Sequence, residues 1–175
     1  GHMMAVGYDL YCKLLEEAVR EVRGEISEEV ETNIDILVNA YIPNDYIGDE
    51  KLKIEIYKKI ASISSIEDKQ DIEDELIDRF SDIPNPVENL LMISYIKSLA
   101  QKLKITNIKQ TQRIIYFHFK DTSYINFENI QSINQKFNNV ISYASVKEPI
   151  LKLNTSKYSN SQILQLIKDI LEEFV

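Results

Sequence analysis

The spacing of the hydrophobic residues changes near Lys104. Between Asp49 and Leu103 they recur every three or four residues, the repeat with which a helix buries one side. From Ile105 onward they alternate with polar residues in short runs, as in strands that bury one face of a sheet. A set of consecutive helices followed by strands is therefore predicted.

Capping and turn residues divide this pattern into elements. Helices are predicted at 6–23, from Asp49 to about Ser62, from Ser64 or Ser65 through an acidic segment, from Pro84 or Pro86 to about Leu103, at 128–137 and at 159–174. Strands are predicted at 34–40, 105–110, 113–120, 123–126, near 140–146 and at 150–153, with turns at 43–45 and 121–122. A chain of 175 residues is long enough to bury a core as one domain.

The acidic helix separates apolar from charged side chains. Its apolar side carries Ile72, Leu76, Phe80 and Ile83, which are predicted to face the core. Its other side carries Asp71, Asp74, Glu75, Asp78 and Asp82, with Arg79 at the edge. Like charges three and four residues apart destabilise a helix unless a basic surface covers them. This side is either a solvated helix face or a docking surface for a cationic partner.

Two long motifs occur one after the other in the first hundred residues. The first reads A-Y-I-P-N-D-Y-I at 40–47 and continues through D-E at 49–50, L-K-I at 52–54 and Y-K-K at 57–59. The second joins D-R-F at 78–80 through a proline turn to V-E-N-L-L at 87–91 and I-K-S-L-A at 96–100. In this order, the two motifs resemble the C-terminal domain of the bacterial transcription-repair coupling factor. Two departures are Ser81, where the family usually has glycine, and Lys53-Ile54, where it usually has Arg-Leu.

The resemblance implies an α+β regulatory module without catalysis: an N-terminal helix, a strand, three helices, then a mixed or antiparallel sheet with further helices. In this family the domain packs on the N-terminal module related to UvrB and hides the surface that recruits UvrA. Release follows when the translocase engages stalled RNA polymerase and DNA. The match places Glu75, Asp78 and Arg79 in that contact, with Asp71, Asp74 and Asp82 on the same face.

The resemblance also divides the chain. Residues 1–4 read as a tag remnant, 5–24 as the end of the translocase module, 25–33 as a linker and 34–175 as the C-terminal regulatory domain.

The sequence lacks the residue patterns that nucleotide binding, metal binding and nucleophilic catalysis need. All four glycines lie in the first 48 positions, so no phosphate-binding loop follows Asp49 and ATP binding is not expected. His118 and Cys12 are too far apart in sequence to suggest a metal site or a catalytic pair, so no cofactor is expected. The single cysteine and the lack of a long apolar run fit a cytoplasmic protein.

Nucleic-acid binding is the alternative function. Residues 1–90 carry 22 acidic and 9 basic residues, a net charge of −13, whereas residues 91–175 carry 6 acidic and 11 basic residues, a net charge of +5. Any contact with a phosphate backbone is therefore expected in the second half. The basic residues near the aromatic Tyr116, Phe117 and Phe119 are Lys97, Lys102, Lys104, Lys109, Arg113 and Lys120.

Overall fold

A computed structural model describes residues 30–145 and 147–175. The predicted tag remnant (1–4), the predicted first helix and most of the predicted linker (25–33) lie outside the described residues, as does Cys12. The described residues form two compact units, one from Val38 to Ser98 and the other from residues 30–37 and 99–175.

The first unit is built from helices. Helix α1 spans Glu50–Ala61, helix α2 spans Ile66–Arg79, and helix α3 spans Asn85–Lys102 and continues into the second unit. Asp49 caps α1 by accepting a hydrogen bond from the Leu52 backbone N–H at 3.0 Å. All three helices were predicted, because polar caps and a starting proline mark helix beginnings clearly.

Helix α3 is buried on nearly all sides. Pro86 lies in its first turn, where a missing backbone N–H costs nothing. Two of its serines are buried and are satisfied by backbone carbonyls: Ser94 Oγ donates to Ile60 O and Ser98 Oγ donates to Tyr95 O, each at 2.6 Å. The buried apolar residues of α3 are Val87, Leu90, Leu91, Ile93, Tyr95, Ile96, Leu99 and Ala100.

The second unit holds a five-stranded mixed sheet. The strands are β1 (Asn33–Asp35), β2 (Ile105–Thr111), β3 (Ile114–Phe119), β4 (Ile141–Ser145) and β5 (Pro149–Asn154). Their order is β1-β2-β3-β5-β4, in which β1 is parallel to β2 and the other neighbours are antiparallel. Helices α4 (Phe127–Lys136) and α5 (Ile163–Phe174) complete the unit. The predicted α+β class with a mixed sheet is confirmed.

One face of the sheet is buried and the other is partly exposed to solvent. In β3, Ile115, Phe117 and Phe119 are buried, whereas Tyr116 and His118 are half-buried on the opposite face. This alternation is typical of a sheet that packs on a core from one side only.

Two sequence predictions in this unit are wrong. The hairpin turn lies between β2 and β3, where Gln112 has φ 55°, rather than at residues 121–122. Residues 123–126 do not form a strand, because Asp121 accepts hydrogen bonds from the Ser123 backbone N–H and hydroxyl and starts a short 3₁₀ helix, Thr122–Tyr124. Strand β1 is also shorter than the predicted 34–40 and includes Asn33 of the predicted linker.

Strand β4 lies at one edge of the sheet, and Asn134 from α4 reaches it. The Asn134 side-chain amide donates to Ile141 O at 2.9 Å and accepts from Ile141 N at 2.9 Å. An amide side chain thus takes the place that a neighbouring backbone would take on a paired strand.

Candidate docking surface

Helix α2 begins with a strong polar cap. Ser65 Oγ accepts from the Asp68 backbone N–H at 3.1 Å, and Asp68 Oδ2 accepts from Ser64 N at 3.0 Å and from Ser64 Oγ at 2.9 Å. The hydrogen bonds from Ser64 lower the pKa of Asp68. The beginning of the acidic helix is therefore fixed, and with it the rotation of its two faces.

The inner side of α2 is only partly apolar. Leu76 is fully buried, while Ile72, Phe80 and Ile83 are half-buried. Lys69 shares this side: its side chain is 8% exposed, and its Nζ lies 2.8 Å from Glu73 Oε1 and 2.9 Å from Glu88 Oε1 of α3.

The burial of Lys69 was not predicted, since lysine is seldom buried unless it is paired. Burial alone would lower the pKa of Lys69, but hydrogen bonds to Glu73 and Glu88 outweigh burial and raise it. Only the helical spacing of Lys69 from Leu76 could have signalled its position.

The outer side of α2 is a row of exposed carboxylates. Asp71, Asp74 and Asp78 are exposed, and Asp82 is exposed just beyond the helix. Glu67, one turn before Asp71 on the same side, is exposed as well and was missed because the sequence analysis took the row to start at Asp71. Within residues 30–145 and 147–175, no lysine, arginine or histidine nitrogen lies within 4.0 Å of these five carboxylates.

Glu75 and Arg79 lie at the edge of that row and are paired within the unit. Glu75 Oε1 and Oε2 lie 2.9 and 2.7 Å from Lys59 Nζ of α1, and Arg79 Nη1 lies 2.8 Å from Glu75 Oε2. Arg79 Nη1 is also 3.4 Å from Glu55 Oε1 of α1. The hydrogen bond from Lys59, followed by that from Arg79, lowers the pKa of Glu75.

An exposed apolar side chain accompanies the carboxylates. Ile77 is 50% exposed and follows Asp74 by three residues, so the two lie on neighbouring parts of the helix surface. Ile77 was not among the predicted site residues, because a single isoleucine outside the apolar repeat carries no functional signal. The outer surface of α2 therefore combines exposed carboxylates with one exposed apolar side chain.

Tyr46 braces the end of α2. Tyr46 Oη is 3.1 Å from Ser81 O and 3.4 Å from Leu76 O, and its ring meets that of Phe80 at a centroid distance of 5.9 Å. Burial raises the pKa of Tyr46, and the charge of Asp82 raises it further. The segment that carries Asp82 is thus held against the rest of the first unit.

The residues of the alternative nucleic-acid surface belong to several elements, and some of them are buried or already bonded. Phe117 and Phe119 are buried, and Arg113 is bound to the carbonyls of Thr155 and Tyr158. Lys97 and Lys102 lie on α3, whereas Lys104, Lys109 and Lys120 belong to β2, β3 or the residues beside them.

Tyr116 faces outward, and the register places Lys109 of β2 and Lys152 of β5 opposite it. Lys152 Nζ lies 5.9 Å from the centroid of the Tyr116 ring. His118 is half-buried, with Nδ1 2.7 Å from Glu148 Oε1.

Across residues 30–145 and 147–175, no three His, Cys, Asp or Glu side chains are grouped so that they could hold a metal ion. None of the described helices is both long and apolar enough to cross a bilayer.

Comparison with known sequences identifies related proteins. The family model of the TRCF domain matches residues 36–130. The transcription-repair-coupling factor of Bacillus subtilis (strain 168) is 42% identical over 112 residues, which are 63% of this chain and 10% of that protein. The protein of the same name from Staphylococcus aureus (strain USA300) is 46% identical over 121 residues, 67% of this chain and 10% of that protein. The chain thus matches about a tenth of the length of these relatives.

Comparison of folds leads to the same family. The crystal structure of the C-terminal domain of transcription-repair coupling factor superposes with a TM-score of 0.77 at 25% sequence identity, covering 85% of this chain and 94% of that one. The family match extends over more than half of the chain and includes α1, α2 and α3, which carry the candidate surface. This chain therefore belongs to the TRCF domain family, and its relatives are transcription-repair coupling factors.

Proposed function

We propose that this chain is the C-terminal regulatory domain of a transcription-repair coupling factor and docks on a UvrB-like N-terminal module of the same protein. Docking masks the surface that recruits UvrA until the translocase engages stalled RNA polymerase on DNA. Residues 34–175 form the non-catalytic regulatory part, and residues 5–24 are the end of the translocase module. The observation that carries the proposal is the exposed carboxylate row of α2, which has no cationic partner among the described residues.

The chemistry of this row suits a reversible contact. Asp71, Asp74 and Asp78 repel one another along the helix, so an arginine-bearing surface that covers them relieves that repulsion. Each exposed pair contributes about 0 to 1 kcal/mol, and several pairs together fix orientation without making the contact permanent. Ile77 supplies an apolar point that excludes water at the edge of the contact.

Within this surface the residues have different roles. Asp78 is free to meet an arginine of the partner module directly, and Asp71, Asp74 and Asp82 extend the contact to either side. Glu75 and Arg79 are already bonded to each other, so they meet the partner as a braced pair.

The test reverses one charge of the row. In the full-length protein, Asp78→Arg should undock the domain and increase UvrA capture in the absence of RNA polymerase, by about tenfold if two or three pairs are lost together. The fold should persist, because Asp78 is exposed and no described residue forms an ion pair with it. Ile77→Ser should increase capture in the same direction but less.

The matched control is Asp45→Arg, the same charge change at an exposed position in the turn before α1. It should leave UvrA capture at the level of the unmodified protein. Equal capture by the Asp78→Arg and Asp45→Arg proteins would contradict docking through α2.

A nucleic-acid contact is the second candidate function, and the outward row of Lys109, Tyr116 and Lys152 favours it. A ring flanked by two lysines could stack a base while the lysines meet phosphates. Mobility shifts of this chain with duplex and single-stranded DNA across a salt series test it. Tyr116→Ala should weaken binding at least fivefold and Tyr124→Ala, at an exposed tyrosine off the strands, should not. A DNA affinity that does not change with salt concentration, or with the Tyr116→Ala substitution, would contradict this candidate function.

A further inference from the structure

Four side chains of alternating charge link α1 to α2 in the first unit. Glu55 and Lys59 belong to α1, and Glu75 and Arg79 belong to α2. Lys59 Nζ lies 2.7 Å from Glu75 Oε2 and 3.8 Å from Glu55 Oε1, while Arg79 Nη1 lies 2.8 Å from Glu75 Oε2 and 3.4 Å from Glu55 Oε1. With two positive and two negative groups, this ion-pair cluster is neutral.

Most of the hydrogen-bonding capacity of Glu75 is already used. An ionised carboxylate has about four acceptor sites. Lys59 donates to both oxygens of Glu75, and Arg79 donates to Oε2 as well. An arginine from outside can therefore bind Glu75 fully only if one of these two donors moves away.

Lys59 is the donor that can move. Its side chain is 40% exposed and flexible, and Glu55 one turn earlier on its own helix offers it a second carboxylate. Arg79 is held more firmly, because it pairs with Glu75 within α2 itself. Its guanidinium also lies 5.0 Å from the centroid of the Phe80 ring. A move of Lys59 towards Glu55 would leave no charge unpaired.

We propose that Lys59 competes with the docking partner for Glu75 and thereby weakens the docked state. Docking exchanges the Lys59–Glu75 pair for a pair between Glu75 and an arginine of the partner, and Lys59 turns to Glu55. Exchange of one partly exposed pair for another changes the free energy little, so the domain can dock and release readily. This inference depends on the docking function proposed above and assigns Lys59 a role in setting its strength.

The experiment removes Lys59 from the full-length protein. Lys59→Met keeps the length of the side chain but leaves Glu75 with Arg79 alone. Docking should become about two- to fivefold tighter, so UvrA capture without RNA polymerase should fall below that of the unmodified protein. Damage to the fold would have the opposite effect, because a loosened domain masks less.

The control is Lys58→Met, which removes the same charge from the neighbouring exposed position on α1, where no ion pair to another described residue forms. UvrA capture should be unchanged by it. Unchanged or increased capture by Lys59→Met overturns the competition. If Asp78→Arg also fails to raise UvrA capture, the proposed docking function itself is wrong. If Asp78→Arg raises UvrA capture and Lys59→Met does not lower it, docking stands and only the proposed role of Lys59 is wrong.

Discussion

Ser81 adopts a backbone conformation that glycine prefers. Its φ is 135°, and its N–H lies 3.4 Å from Leu76 O while the Phe80 N–H lies 2.9 Å from the same oxygen. The Phe80 bond is a regular helical bond, and the Ser81 bond is a longer one to the same carbonyl, so α2 ends at this point. Serine rarely adopts a φ of this value, so the turn stores strain in Ser81.

Glycine at this position should stabilise the protein. Strain at a positive φ costs about 1 to 3 kcal/mol, whereas the extra freedom of glycine in the unfolded chain costs about 0.5 to 1 kcal/mol. Ser81→Gly should raise the free energy of unfolding by about 1 kcal/mol in urea titrations. Ser62→Gly, at φ −85°, should lower it instead. A loss of stability in both variants would show that Ser81 is not strained.

At the level of helices and strands, sequence reasoning succeeded where local chemistry decides the outcome. Asp49 and Ser65 mark their helices by side-chain caps that can be recognised in sequence. It failed at residues 121–126, because an alternating pattern there looks like a strand while Asp121 bonds to its own neighbour. The pairing of Lys69 with Glu88 was not predictable, since it depends on how α2 lies against α3.

Lys69 should contribute substantially to holding α2 on α3. Removing one partner of a buried ion pair costs about 3 to 5 kcal/mol, and less here because Glu73 and Glu88 remain 27% and 36% exposed. Lys69→Met should therefore lower the free energy of unfolding by about 2 kcal/mol. Lys51→Met, at an exposed position of α1, should change it by less than about 0.5 kcal/mol.

A rescue experiment distinguishes charge from packing. Adding Glu73→Gln and Glu88→Gln to Lys69→Met removes the uncompensated carboxylates and should recover part of the lost stability. Further destabilisation in the triple variant would mean that the lysine stem, rather than its charge, holds the helices together.

For the molecule as a whole, the lowered pKa values predict sensitivity to acid. Hydrogen bonds from Ser64 lower the pKa of Asp68, and those from Lys59 and Arg79 lower that of Glu75. A lowered pKa in the folded state means that the unfolded chain binds more protons as pH falls. The stabilisation is therefore complete above the ordinary carboxyl pKa of about 4 and is lost as pH falls through the lowered values.

The expected measurement is a series of urea titrations between pH 6 and pH 2. The double variant Asp68→Asn, Glu75→Gln should lose less stability over this range than the unmodified chain. Asp45→Asn, which removes one exposed carboxylate from the same unit, should retain the original slope. Parallel slopes for all three proteins would exclude these two groups as the source of acid sensitivity.

The candidate surface was partly predictable from sequence for a physical reason. A helix repeat fixes which residues share a side, so the exposed positions of Asp71, Asp74 and Asp78 follow from spacing alone. The pairing of Glu75 with Lys59 does not, because residues 16 positions apart meet only once two helices have packed. The sequence therefore indicates where the acidic residues lie, but not which of their carboxylates is already paired with a lysine or an arginine.

The side chain of Asn134 limits how strand β4 can associate with other molecules at high protein concentration. Residues 140–146 carry no charge and no proline, the features that usually keep a border strand from recruiting a foreign chain. By bonding to both backbone groups of Ile141, Asn134 prevents a strand of another molecule from pairing there and extending the sheet edge to edge. Its loss would leave these two backbone groups open to such pairing.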